Sequence, residues 1–172
     1  MITEPKLEDR KEQHYVAVRT QAAMNELDTA IPQGIGEVAA WLRKQGVAPT
    51  GAPFIRYLVI DMEALLEIEV GFPVTNALSG DGRRVRAGVL PAGRYASLVY
   101  TNIDKGIEAN YALLQWGAAK GLVWDKWETE KGDAFGSRFE SFLTNPDEEP
   151  DRTKWETEVA IMTAAGGGSK QS

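Results

Sequence analysis

"EVAAWLRKQG" (37–46) and "ALLQWGAAKG" (112–121) decide the fold. Each stretch ends on glycine and places a tryptophan five residues earlier, Trp41 before Gly46 and Trp116 before Gly121. The first closes a helix predicted over 31–46. Pro32 suits its first turn, and Ile35, Val38, Ala39 and Leu42 share one side. The second closes a helix predicted over 104–121, with Asp104 as N-cap and Ile107, Tyr111, Leu114 and Ala118 as its apolar stripe.

Around each helix the same elements recur. "HYVAVRT" (14–20) reads as a strand before the first helix, and "PFIRYLVID" (53–61) and "ALLEIEVGFPV" (64–74) read as strands after it. The last of these sets Leu66, Ile68 and Val70 against Glu67 and Glu69, the pattern of a strand with one wet face. Beyond the turn "NALSGDG" (76–82), "RVRAGVLPAGRYASLVY" (84–100) holds one or two strands interrupted at Pro91-Ala92-Gly93. After the second helix come "DAFGSRFESFLTN" (133–145) and "DRTKWETEVAIMTA" (151–164). In the latter, Trp155, Thr157, Val159 and Ile161 alternate with Glu156, Glu158, Ala160 and Met162. Strand, helix, strand, strand thus occurs twice, over about 13–74 and 84–163. The expected fold is α+β: two pseudo-twofold-related units forming one antiparallel sheet, both helices on one face, and a cleft between the halves.

Composition narrows the function. A chain of 172 residues suits one domain, expected over 1–164 with a disordered tail over 165–172. The net charge of −6 lacks the footprint of a nucleic-acid binder. With no cysteine and a single histidine, His14, neither thiolate chemistry nor a multi-histidine metal site can be built. No cofactor is implied. "MITEPKLEDRKEQ" has no apolar core and is not a leader, and no stretch is long enough to cross a membrane. A cytoplasmic location is expected.

The residues "PFIRYLVIDMEALLEIEVGFPV" (53–74), "AGVLPAGRYASLVY" (87–100), "YALLQWGAAKG" (111–121) and "RFESFLTNPDEEPDRTKWETEVAI" (138–161) together resemble the GyrI-like small-molecule-binding domain. That domain is also the effector-binding module of BmrR-type multidrug-sensing transcription regulators. The resemblance runs from Glu4 to Thr163. It implies an aromatic pocket between pseudo-symmetric halves with an acidic residue at its floor. The regulators carry a helix-turn-helix domain ahead of the module. Almost nothing precedes the first strand here, so a stand-alone binder without direct nucleic-acid contact is expected.

Glu158 in "WETEVAI" matches the family's glutamate in the last strand and is the favoured acid, while Glu156 reads as a solvated neighbour. Glu140 in "RFESF" is the second candidate, with an Arg138–Glu140 surface pair as the plain alternative. Tyr57, Trp41, Tyr95, Trp116, Phe139 and Phe142 are the aromatic candidates for the cleft, and Phe54 and Phe72 read as core. A buried carboxylate without a partner takes up a proton or recruits a cation. Aromatic rings around it add roughly 0.5–2 kcal/mol each for a cation over a ring face. The expected ligands are lipophilic, cationic aromatic compounds.

Two alternatives stand beside this reading. One is a hydrolase of cyclopropane-bearing alkylating natural products, an activity the resemblance also implies, with Glu158 as the catalytic acid or base. It is weakened because Phe139 and Phe142 stand where the family often has tyrosines. The other is an interaction module that inhibits a larger protein, as the gyrase-binding members of the family do.

Overall fold

The computed structural model describes residues 1–61 and 63–164. The expected tail, 165–172, lies outside the described residues. The elements in chain order are β1 (Lys6–Arg10), β2 (Gln13–Ala22), α1 (Leu27–Gln45), β3 (Phe54–Ile60), β4 (Leu66–Pro73), β5 (Val85–Leu90), β6 (Gly93–Thr101), α2 (Gly106–Ala119), β7 (Lys126–Thr129), β8 (Gly132–Phe135), β9 (Arg138–Phe142) and β10 (Glu156–Met162). All pair antiparallel in the order β1-β6-β10-β9-β3-β4-β2-β5, and the β7–β8 hairpin attaches to β3.

That order forces the sheet to curl. β1 and β2 stand first and seventh in it, yet only Lys11 and Glu12 join them. A flat sheet would separate them by six strand spacings, roughly 29 Å, whereas the chain from Arg10 to Gln13 reaches only about 10 Å. The pairs Arg10↔Gly93 and Gln13↔Leu90 keep one register, so β1–β2 and β6–β5 form a single bent ribbon that joins the two ends of the sheet. The sheet therefore has a concave interior and a convex exterior.

Both helices lie on the convex face. Val18, Val70, Ile55, Glu140, Val159 and Leu98 pair directly across six strands and form one row on that face. Val38 and Leu42 of α1 pack over the end carrying Val18 and Val70. Ala109 and Leu113 of α2 pack over the end carrying Leu98 and Val159. The row also exposes the pseudo-twofold relation: β2, β4 and β3 on one side match β6, β10 and β9 on the other. Leu98 is thus the mate of Val18, Val159 of Val70, and Glu140 of Ile55.

The structure moves several boundaries. α1 begins at Leu27, not 31, after a 3-10 turn at Met24–Glu26 whose Glu26 carboxylate accepts the Ala23 N–H at 2.7 Å. Gly46 closes it in the left-handed conformation that its lack of a Cβ permits. Asp104 does not cap α2: it lies in a 3-10 turn, Ile103–Lys105, capped by Asn102, whose side chain accepts the Asp104 N–H at 3.0 Å, and α2 follows at Gly106 without a side-chain cap. Most of the expected α2 stripe faces outward: Ile107 is 73% and Tyr111 63% exposed and Ala118 is exposed, Leu114 alone packs partly against the core, and Ala109, Leu113 and Gly117 are the buried residues. Apolar residues surround this helix, so their spacing alone does not select a face. Gly117 is selected by shape, since a Cβ there would stand 2.3 Å from the Trp124 ring.

Candidate functional site

Parity along β9 and β10 distributes the candidate residues between two sites, one on each face of the sheet. Glu140, Tyr57, Phe142, Trp41 and Trp116 belong to the convex, helix-bearing side. Glu158, Tyr95 and Phe139 belong to the concave side. The single cleft expected from the sequence is replaced by these two sets, because adjacent residues of a strand point oppositely.

On the convex side Glu140 is 8% exposed. The Tyr100 hydroxyl donates to its Oε1 at 3.0 Å, and the Asn110 amide donates to its Oε2 at 3.2 Å. Asn110 in turn accepts a hydrogen bond from Arg138 Nη2 at 2.9 Å. The expected surface pair of Arg138 and Glu140 is not found: on the helix-bearing side Glu140 is buried and Arg138 half-buried, and among the described residues no basic group forms an ion pair with the Glu140 carboxylate within 4.0 Å.

Burial pushes the Glu140 pKa above the ordinary carboxylate range. The Asn110 and Tyr100 hydrogen bonds, the Arg138 charge and the Tyr57 hydroxyl oppose that shift without cancelling it. Burial likewise raises Tyr57 and Tyr100, and the Glu140 charge raises them further. Both phenols therefore stay protonated as hydrogen-bond donors. Burial lowers Arg138, whose Nε has no partner and whose guanidinium carbon lies 4.8 Å from the Phe135 ring centre. Tyr57 is half-buried with its hydroxyl beside Glu140, and Phe142 is half-buried beside the α1 core. Trp41 and Trp116 pack into the α1 and α2 cores respectively, and the Lys120 ammonium sits 5.7 Å from the Trp116 ring.

On the concave side a cavity of about 490 Å³ opens between Arg10, Phe54, Leu90, Tyr95, Phe139 and Glu158. Three of its lining rings meet edge to face, Phe54 to Phe139 at 6.2 Å and Phe139 to Tyr95 at 5.9 Å, and Tyr15, outside the lining, continues the chain from Phe54 at 5.1 Å. Glu158 is already partnered. Arg10 Nη1 and Nη2 donate to its two oxygens at 3.1 and 2.9 Å.

The interior also corrects the wet face expected for β4. Glu69 is 3% exposed, accepts from the Tyr15 hydroxyl at 2.5 Å and from Arg19 Nη2 at 3.1 Å, and is buried because the curl turns that face inward. Among the site residues, the sequence reading did not single out Tyr100, Asn110 or Arg10. Arg10 stands in a charged segment whose strand shows only through its pairing with β6.

Two helices on the outside of a curled, pseudo-symmetric sheet, with a buried acid among tyrosines, define an α+β ligand-binding module. The chain belongs to the GyrI-like small-molecule-binding domain family, whose profile matches residues 3–163. It is similar to the crystal structure of the EcmrR C-terminal domain, at 18% identity and a TM-score of 0.71, covering 94% of this chain and 97% of that one. It is similar to a hydrolase from Listeria innocua at 12% identity and a TM-score of 0.63, covering 94% and 92%. It is also similar to SAV2435 bound to tetraphenylphosphonium at 9% identity and a TM-score of 0.59, covering 95% of each chain. No curated protein matches the sequence. At these identities the likenesses establish the fold.

Proposed function

We propose that this domain binds lipophilic aromatic cations on its convex side, between α1 and α2, with Glu140 as the counter-charge. One observation carries the reading. In the row that crosses the sheet, the pseudo-symmetry mate of Glu140 is Ile55, an apolar residue fully buried in the core. The second half keeps a carboxyl where the first half keeps a hydrocarbon, and gives it hydrogen-bond donors but no ion pair. A carboxylate held this way costs stability unless it is protonated or a cation arrives. Tyr57 and Phe142, half-buried on the same face of the sheet as Glu140, provide apolar and π surface there. The lipophilic cation seen with SAV2435, on the same fold, supports the ligand class.

Tetraphenylphosphonium and the neutral triphenylphosphine oxide are the probes, read by quenching of tryptophan fluorescence. Glu140→Gln should weaken the phosphonium by about tenfold or more, equivalent to the 1–3 kcal/mol of a charge-assisted contact. The neutral probe should change much less. Equal loss for both probes, or no loss for either, would refute the assignment.

Hydrolysis is the second reading, and the pairing of Glu140 with two buried phenols, Tyr57 and Tyr100, favours it. A carboxyl of raised pKa can deliver a proton to a leaving group, and a phenol can orient it. The binding reading expects no conversion of a cyclopropane-bearing alkylating compound during incubation. Turnover that disappears in Glu140→Gln would establish the second reading instead.

A further inference from the structure

The two helices end alike but close differently over the sheet. At the end of α1, the Gly46 N–H donates to the Arg43 carbonyl and the Val47 N–H to the Leu42 carbonyl, both at 3.1 Å. At the end of α2, the Gly121 N–H donates to the Ala118 carbonyl at 3.1 Å and the Leu122 N–H to the Gly117 carbonyl at 2.9 Å. The shared pair of bonds fixes a correspondence between the halves: Leu42 with Gly117, Arg43 with Ala118, Val47 with Leu122. Counted along the chain from there, Ala39 corresponds to Leu114 and Pro49 to Trp124.

In the second half this corner is filled. The Trp124 ring lies over Gly117, so close that a Cβ on the glycine would stand 2.3 Å from it, and Leu114, Leu122 and Trp124 all pack against the α2 core. In the first half the smaller Ala39 and Pro49 stand in place of Leu114 and Trp124. A cavity of about 310 Å³ remains between Ala39, Leu42, Val47, Pro49 and Phe72. An empty space beside a core costs stability, and the second half shows that the same scaffold can close it. The first half instead sets a cation at its edge: Arg43 completes the lining, where the second half has the uncharged Ala118. Arg43 is exposed, and among the described residues no carboxylate stands within 4.0 Å of its guanidinium. No acidic residue lines the cavity. The Leu42 and Arg43 carbonyls, which would repel an anion at a helix C-terminus, are occupied by the Val47 and Gly46 N–H groups.

We propose that this cavity binds a small hydrophobic monocarboxylate, independently of the Glu140 site. The hydrocarbon body of the ligand lies under α1 against Leu42, Val47 and Phe72, and its carboxylate takes the fork of Arg43. The volume is at the small end of the range for small-molecule sites, ~300–1,000 Å³, and suits a single ring on a short chain. The polarity is the reverse of that at Glu140: hydrocarbon walls with a guanidinium select an acid, whereas a buried carboxyl selects a cation.

Titration with 4-phenylbutanoate and with the neutral 4-phenylbutanamide tests this, followed by calorimetry and by the methyl NMR signals of Leu42 and Val47. The acid should bind wild-type protein and shift both sets of signals. The amide should bind about tenfold more weakly or worse, since it does not answer the guanidinium charge. Arg43→Gln, a change at an exposed side chain that leaves the core intact, should bring the acid down to the level of the amide. Arg43→Lys should keep part of the difference, because an ammonium carries the charge without the fork. Ala39→Leu installs the residue that the second half carries at that place, and by filling the space it should weaken acid and amide together. Arg43→Gln should leave tetraphenylphosphonium binding unchanged, so that failure here and failure of the Glu140 assignment are separate results. Equal affinity for acid and amide, acid binding that survives Arg43→Gln, shifts that bypass Leu42 and Val47, or no acid binding by wild-type protein would each overturn the proposal.

Discussion

Glu140 gives the clearest residue-scale consequence, because its proton reports its surroundings. Its folded-state pKa lies above the ordinary carboxylate value, with burial as the largest cause. Between those two values the folded chain holds a proton that the unfolded chain has released. Stability is therefore undiminished below the ordinary value and falls as pH rises through the raised one. Glu140→Gln carries no such proton. Its stability relative to wild type should increase as pH rises from the ordinary carboxylate value through the raised one. Urea midpoints of both proteins across that range measure it, and a flat difference would mean that the carboxyl is solvated. Phosphonium affinity should rise with pH over the same window, since the ligand requires the charged form. The motif match ranks Glu158 above Glu140, but the alternation of the strands adds nothing to that ranking. Alternation separates Glu158 from Val159, and Glu140 from Phe139, but it does not say which face meets the helices. Only the register between strands, Ile55 against Glu140 and Glu140 against Val159, decides that.

At the scale of elements, the strand and helix pattern was legible wherever one face is apolar and the other wet. It faltered where that premise fails. β1 reads as a charged coil because its pairing with β6, and not its own composition, makes it a strand. β4 reads as half-solvated because Glu67 and Glu69 sit on what an open sheet would expose, and the curl buries Glu69. The curl also explains Gly71 in β4. A Cβ there would stand 1.9 Å from the Val16 carbonyl oxygen and 2.7 Å from the Ala17 Cα, both backbone atoms of the neighbouring strand. A backbone cannot rotate aside as a side chain can. Gly71→Ala should therefore destabilise the protein by about 1–3 kcal/mol through overpacking, whereas Gly36→Ala, with nothing within 4 Å, should be neutral or stabilising. Thermal melts of the two variants check this. Equal melting temperatures would show that β2 and β4 are not held so close.

At the scale of the whole molecule, duplication supplies the scaffold and departures from symmetry supply the chemistry. The two halves share strands, helix positions and a tyrosine–glutamate pair on the concave face. They part at Ile55 against Glu140, and at Arg19 and Arg56 against Val99 and Ser141. Both departures change what surrounds a carboxyl of the second half: Glu140 is held by the neutral donors Tyr100 and Asn110, and Glu158 by Arg10 from β1. The repeat itself was visible in the matched helix ends, Trp41 to Gly46 and Trp116 to Gly121. The asymmetry was not, because the mates are 80 to 89 positions apart with offsets that differ between elements. A crystal structure of the protein with tetraphenylphosphonium tests the central claim most directly. The account expects the phosphonium on the convex side, between α1 and α2, with its charge facing the Glu140 carboxylate and a phenyl group against Tyr57. A phosphonium lodged in the concave cavity beside Glu158, with Glu140 still closed under Tyr100 and Asn110, would contradict it.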